Sequence, residues 1–222
     1  MQRIRLRGLF ADLDGTLAQS LHFMRRVYHD FLIRYGAKGD DREFDELNGP
    51  PLTQVVARLK DRHGLSPSLT ELVRHYHQMI ITDYARQAAP APGAERLLSW
   101  ARQKLLYTAV VTSAPGGIAK DFLNYHKLDD YVDLVIGVED VSRGKPSPEP
   151  YLTALARLGI NSAAALAVED SATGVKSAGT AGIFVIGVAG PTHHKELLAA
   201  GAGRIVSHLE EIPNLAEELW PT

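Results

Sequence analysis

The feature that most constrains the fold of this chain is a regular alternation of helical stretches with short apolar runs across its second half. The helical stretches are 94–103, 117–126, 148–158, 172–180 and 193–200. An apolar run of strand length follows each of them, at 106–111, 132–137, 164–168, 183–188 and 204–206. Strands joined through helices form right-handed crossovers, which predicts a parallel sheet with helices on both faces.

The first part of the chain adds one strand and then changes character. An apolar run at 6–11 predicts a further strand of the same sheet, because alone it could not bury its side chains. The next tract has the helical period without any strand-like run, at about 21–35, 52–63 and 70–86. It ends in Ala89-Pro90-Ala91-Pro92-Gly93, which is typical of a stiff linker.

These patterns predict an α/β protein with two parts. A Rossmann-like parallel sheet core would comprise residues 1–17 and 89–222, and an all-helical cap would be inserted at 18–88. The length of 222 residues is sufficient for a sizeable core with such an insertion.

Charge and composition exclude several kinds of partner. The 24 Lys and Arg against 26 Asp and Glu give a net charge of -2 without a long run of either sign, so neither nucleic acid nor a membrane surface is expected as a partner. The basic N-terminus does not read as a secretory signal, because Asp12 and Asp14 interrupt the apolar run that follows. The absence of cysteine excludes disulfides and thiolate chemistry and fits a cytoplasmic protein. We expect a monomer or homodimer that binds a small metabolite.

Polar residues accumulate where the predicted strands end, which is where ligands bind in open parallel sheets. Four carboxylates, a hydroxyl pair and a lysine would converge on one edge, and so many acids are costly to assemble unless a cation binds among them. Oxygen ligands without His or Cys suit Mg²⁺. The residues are Asp12, Asp14, Thr112, Ser113, Lys145, Glu169 and Asp170.

Each of these short motifs also has a simpler interpretation. Asp12 to Thr16 could be an ordinary turn, and Thr112-Ser113 could cap the following helix. Lys145 could be a solvated loop residue, and Glu169 to Ser171 could cap helix 172–180 with acids at its positive end. Only the occurrence of all these motifs in one chain favours a catalytic site over the simpler interpretations.

Four motifs occur in order, and together they resemble those of the haloacid dehalogenase superfamily. The resemblance is to its helical-capped branch, which contains phosphoglycolate phosphatase and β-phosphoglucomutase. The motifs are Leu9 to Leu17 (LFADLDGTL), Val110 to Ser113 (VVTS), Gly144 to Tyr151 (GKPSPEPY) and Val168 to Val175 (VEDSATGV).

The resemblance implies a Mg²⁺-dependent phosphohydrolase acting on a small phosphorylated metabolite of the phosphoglycolate or sugar-phosphate type. Asp12 would be the nucleophile that becomes an aspartyl phosphate, and Asp14 the acid and base. Thr112, with Ser113 after it, would bind a phosphoryl oxygen, and Lys145 would offset negative charge.

The resemblance also implies a metal site and a substrate loop. Asp12, the carbonyl of Asp14, and Asp170 would bind Mg²⁺, with Glu169 as a further ligand or as a partner of the ligands. In the cap, the loop at Asn48 and Gly49 would face the substrate.

Three other functions remain open from the sequence. A phosphomutase would share the aspartyl phosphate, and the basic residues Arg58, Lys60 and Arg62 of the cap keep this alternative open. A dehalogenase is less favoured, because dehalogenases of the family do not need an acid–base aspartate such as Asp14. A receiver-like binding module also combines an acceptor Asp with acids, a Thr and a Lys, but it does not require a cap.

Overall fold

The computed structural model describes residues 4–47, 50–190 and 192–221. The chain divides into two compact units, one formed by Met1–Gln19 with Pro90–Thr222 and the other by Ser20–Ala89. We call the first unit the core and the second unit the helical insertion. Within the described residues, no helix is both long and apolar enough to cross a membrane.

The core is built on a six-stranded sheet in which every pair of neighbours is parallel. Its strands are β1 Gly8–Ala11, β4 Tyr107–Val111, β5 Leu134–Ile136, β6 Ala165–Glu169, β7 Phe184–Val188 and β8 Arg204–Val206. The spatial order is β5-β4-β1-β6-β7-β8, so the first strand lies at the centre between β4 and β6. The predicted parallel α/β fold is confirmed. The short strands β2 Ala18–Gln19 and β3 Ala89–Pro90, which were not predicted, form a separate two-stranded sheet.

The described residues of the helical insertion form four helices, and the prediction of an all-helical cap is confirmed. They are α1 Leu21–Arg34, α2 Asp41–Glu46, α3 Leu52–His63 and α4 Leu69–Gln87. Helix α2 was not predicted, because six residues are too few to show a helical period. Its start is set by Asp40, whose side chain accepts a hydrogen bond from the Glu43 N–H at 2.8 Å.

In the described part of the core, six α-helices flank the sheet. They are α5 Ala94–Gln103, α6 Gly116–Tyr125, α7 Glu149–Leu158, α8 Ala172–Thr180, α9 His194–Ala200 and α10 Ile212–Leu219. The last helix was not predicted. Buried side chains of the strands pack with Tyr151 of α7 and Val175 of α8 into one apolar cluster, which fixes both helices against the sheet.

Glu43 is a buried acid of the helical insertion and is held by three donors. The Tyr28 hydroxyl donates to Oε2, Arg62 Nη1 lies 3.1 Å from Oε1, and His63 Nε2 lies 3.0 and 2.9 Å from the two oxygens. Burial alone would raise the pKa of Glu43, but these hydrogen bonds and the nearby cations outweigh it and lower the pKa. The charged form of Glu43 therefore stabilises the folded insertion.

We predict that Glu43→Gln destabilises the protein at neutral pH but not in acid. A lowered folded-state pKa stabilises the protein above the unfolded-state pKa, and this contribution is lost as pH falls through the folded value. Loss of the charged hydrogen bonds should cost roughly 1.5–3 kcal/mol at pH 7. Urea unfolding at pH 7 and at pH 2 measures the free energy of unfolding above and well below the ordinary pKa of a glutamate, and the exposed Glu46→Gln is the matched control. A difference between Glu43→Gln and the unaltered protein that persists unchanged at pH 2 would contradict this assignment.

Helix α5 ends in a left-handed residue that is not glycine. Leu105 has φ 57°, and the Leu106 N–H closes the turn on the Ala101 carbonyl at 2.9 Å. Glycine is preferred at this position of a helix end, since a Cβ is strained there. The Leu105 side chain is 85% exposed, so it gains little from burial in return.

We predict that Leu105→Gly raises stability by roughly 0.5–1 kcal/mol, because it removes the backbone strain and loses little packing. The unfolding midpoint in urea measures the change. Leu105→Ala removes the same exposed side chain but keeps the Cβ, and it should be close to neutral. Equal effects of the two substitutions would rule out backbone strain as the cause.

Candidate active site

The loop after β1 holds Asp12 and Asp14 at the carboxyl edge of the sheet. The Asp12 N–H donates to the Val168 carbonyl of β6 at 3.0 Å, and Asp12 is only 7% exposed. The loop closes through a hydrogen bond from the Ala18 N–H to the Leu13 carbonyl at 2.8 Å. Gly15 adopts φ 86°, which an L side chain rarely adopts. Asp14 is half-buried in the same turn.

Lys145 reaches this edge from the loop before α7 and bridges two acids. Its Nζ lies 2.6 Å from Asp12 Oδ1 and also donates to Glu169 Oε1. The Lys145 side chain is 4% exposed, so it is not a solvated loop lysine. One buried cation therefore joins the end of β1 to the end of β6.

Asp12, Glu169 and Asp170 form a compact acidic cluster. Each offers a carboxylate oxygen, and these oxygens lie within 4.8 Å of one another. Among the described residues this is the only group of three or more acidic, His or Cys side chains with such spacing. Lys145 balances one of the three charges, which leaves two in excess when all three are ionised. An oxygen-only, doubly negative and mostly buried donor set suits a divalent cation such as Mg²⁺.

The pKa values report the same imbalance. Burial raises the pKa of Asp170 well above its ordinary value, and the charges of Asp12 and Glu169 raise it further. Burial also raises the pKa of Glu169, although Lys145 acts against it. Burial lowers the pKa of Lys145, but the charges of Asp12 and Glu169 outweigh it and raise that pKa above its usual range. Lys145 therefore stays a cation, and its single positive charge does not neutralise the three carboxylates of the cluster.

Thr112 follows β4 at the same edge, and its hydroxyl does not cap the next helix. Helix α6 starts after Pro115 without a side-chain cap. The Thr112 hydroxyl oxygen instead accepts from the Ala114 N–H at 3.0 Å, and the side chain is buried. Ser113 is exposed in the turn that follows. Helix capping thus explains neither residue.

Glu169 is surrounded by contacts that the sequence analysis did not identify. Its Oε1 accepts a hydrogen bond from the Tyr151 hydroxyl at 2.6 Å, and both residues are fully buried. Gly174 of α8 leaves the space that the carboxylate fills. Ser171 caps α8 by accepting from the Gly174 N–H at 3.1 Å, so the hydroxyl, not the acids, performs the capping.

Two predicted site residues cannot be compared with this cluster. Asn48 and Gly49 lie outside the described residues. Tyr151 was missed as a site residue, since a buried aromatic side chain on a helix reads as core. The only available signal was its place in the same motif as Lys145.

A buried lysine among strand-end acids, on a parallel sheet with a helical insertion, is typical of one class of hydrolases. The sequence profile of the haloacid dehalogenase-like hydrolases matches residues 9–188, and the chain belongs to this family.

Named relatives agree with this assignment. The chain is similar to validoxylamine A 7'-phosphate phosphatase of Streptomyces hygroscopicus subsp. limoneus, with 34% identity over 85% of this chain and 87% of the relative. It is 28% identical to fructose-1-phosphate phosphatase of Escherichia coli over 83% and 97% of the two chains. Among solved structures, CbbY from Rhodobacter sphaeroides in complex with phosphate has a TM-score of 0.83 and 25% identity, with 93% and 96% coverage.

We predict that Gly174→Ala destabilises the protein while Gly179→Ala on the same helix does not. A Cβ at Gly174 would lie 1.9 Å from Glu169 Oε2, so the carboxylate must move away from its donors. A Cβ at Gly179 has no heavy atom within 4 Å. Relative to Gly179→Ala, Gly174→Ala should lose about 1–3 kcal/mol, measured by urea unfolding. Equal stabilities of the two variants would show that Glu169 is not confined by Gly174.

Proposed function

We propose that this protein is a Mg²⁺-dependent phosphohydrolase that acts on a small phosphorylated metabolite, of the phosphoglycolate or sugar-phosphate type, through an aspartyl phosphate on Asp12. The observation that carries the proposal is the contact of 2.6 Å between the buried Asp12 carboxylate and Lys145 within the acidic cluster. The two named phosphatases, from Streptomyces hygroscopicus and Escherichia coli, support it, because each is a phosphatase of a small phosphorylated compound.

Asp12 begins the reaction by attacking phosphorus. As the bond between an Asp12 carboxylate oxygen and phosphorus forms, the bond from phosphorus to the leaving oxygen of the metabolite breaks. Asp14 gives its proton to that leaving oxygen. Asp14 then takes a proton from a water molecule that attacks the aspartyl phosphate, which releases inorganic phosphate and restores Asp12. Only Leu13 separates these aspartates, so both lie in one tight loop, as this exchange of protons needs.

Lys145 and Thr112 would bind the phosphoryl group. Lys145 has three N–H bonds and uses two for Asp12 and Glu169, so one remains for a phosphoryl oxygen. The Thr112 oxygen accepts from a backbone N–H, which leaves its own proton for the same group. The backbone at Ser113 would add a further donor. These donors favour the charge that develops on the transferring group.

The acidic cluster would hold Mg²⁺ through Asp12, Asp170 and the carbonyl of Asp14, with Glu169 as a further ligand or as a partner of the ligands. When bound, the ion would cancel the repulsion between the acids and a dianionic phosphate. The fit rests on the donor set itself, which is oxygen-only, doubly negative in excess and largely buried. Asn48 and Gly49 stay candidate substrate-binding residues on the resemblance alone. We also propose a cytoplasmic location, on the absence of cysteine.

We predict that Asp12→Asn abolishes catalytic phosphate release, because the neutral amide oxygen is a poor nucleophile. The loss should be at least about 10³-fold in kcat, measured on a panel of phosphoglycolate and sugar phosphates with and without Mg²⁺. The exposed Asp130→Asn is the matched control and should retain activity. Activity in Asp12→Asn equal to that of the control would place the chemistry elsewhere.

The same assay separates the alternatives. Stoichiometric phosphorylation by acetyl phosphate without turnover would contradict the enzyme and favour a receiver-like module. Transfer of the phosphoryl group back to the sugar, seen as an isomeric sugar phosphate without free phosphate, would contradict hydrolysis in favour of a mutase.

A further inference from the structure

Glu169 is a fully buried acid whose position depends on two donors to a single oxygen. Lys145 Nζ and the Tyr151 hydroxyl both donate to Oε1, the latter at 2.6 Å. Two hydrogen bonds fill the two lone pairs of that oxygen. On the other oxygen, the Ser171 hydroxyl lies 3.4 Å from Oε2, which is a long and weak contact. The orientation of the carboxylate is therefore set mainly at Oε1.

The hydroxyl of Tyr151 is placed to hold this carboxylate. The residue is fully buried on α7, and its ring packs in the apolar cluster of the core. Its hydroxyl is a polar atom in an apolar surrounding, which is costly unless it is paired, and Glu169 is its partner. The Lys145 Nζ lies 5.4 Å from the centroid of the same ring, so one side chain contacts both members of the ion pair.

Lys145 cannot hold Glu169 alone, because it is shared. Its Nζ also binds Asp12 Oδ1, and any shift toward Glu169 weakens that contact. Gly174 limits the carboxylate from the other side, since even a Cβ there would lie within 2.2 Å of both oxygens. The hydrogen bond from Tyr151 and the close approach of Gly174 thus fix the Glu169 carboxylate from two directions. Lys145 stays between Asp12 and Glu169.

We propose that Tyr151 is a positioning residue for the acidic cluster. Its hydroxyl holds the Glu169 carboxylate in the orientation in which Asp12, Glu169 and Asp170 take up a divalent cation. The inference rests on the proposed function, which assigns Mg²⁺ to this cluster. Partners that orient metal-binding carboxylates commonly change metal affinity 10–100-fold when they are removed.

The test is the Mg²⁺ affinity of Tyr151→Phe, measured by isothermal titration calorimetry with the full chain and without phosphate. The variant keeps the ring and removes only the hydroxyl. We expect Mg²⁺ to bind about 10-fold more weakly. Tyr28→Phe is the matched control, because it also removes a buried tyrosine hydroxyl from a glutamate, but in the helical insertion. That control should bind Mg²⁺ as the unaltered protein does, even if both variants lose thermal stability.

The kinetics supply a second readout that a merely structural role would not move. In Tyr151→Phe the Mg²⁺ concentration for half-maximal activity should rise about 10-fold. At saturating Mg²⁺, the kcat of the variant should be close to that of the unaltered protein. Unchanged Mg²⁺ affinity in Tyr151→Phe, or a kcat loss that saturating Mg²⁺ does not reverse, would overturn the inference and leave the proposed function intact. Failure of the unaltered protein to bind Mg²⁺ would instead overturn the metal dependence of the proposed function, and this inference with it.

Discussion

The shared ion pair of Lys145 with Asp12 and Glu169 is the interaction on which the rest of the core site depends. Its partners are separated by 133 and 24 residues along the chain, and only the parallel pairing of β1 with β6 brings the two acids side by side. Burial of these acids without a paired cation would carry a desolvation penalty that offsets much of the free energy gained by packing the core. The lysine makes the assembly tolerable but leaves it short of positive charge, and this is the deficit that the Mg²⁺ of the proposed function would make up.

Two glycines make room for this arrangement. A Cβ at Gly15 would lie 1.9 Å from Asp170 Oδ2, as one at Gly174 would from Glu169 Oε2. Glu169 at the end of β6 therefore occupies the space that a side chain at position 174 would fill, and Asp170 occupies the space that one at position 15 would fill. Glycine within helix α8 lowers helix stability relative to alanine. The site is thus maintained at some expense of local stability, as is common where charged groups are gathered for chemistry.

One physical reason allowed the sheet and the convergence of the acids at its edge to be predicted from the sequence. Strand ends of a parallel sheet share an edge, so residues directly after β1, β4 and β6 could be placed together from periodicity alone. Lys145 follows no strand directly, and only the resemblance assigned its role. The hydrogen bond of the Tyr151 hydroxyl could not be predicted, because helical spacing indicates that the ring is buried but not which group accepts from the hydroxyl. The short helix α2 and the two-residue strands β2 and β3 depend on capping and tertiary pairing, which leave no period to read.

Among the described residues, the buried ion pairs of each unit form between side chains of that same unit. In the core, Lys145 is paired with Asp12 and Glu169, and in the helical insertion, Glu43 is paired with Tyr28, Arg62 and His63. Since neither cluster needs a charge from the other unit, surface residues of the insertion can change without disturbing the acids that would perform the chemistry. This independence fits a family whose members act on compounds as different as validoxylamine A 7'-phosphate and fructose-1-phosphate.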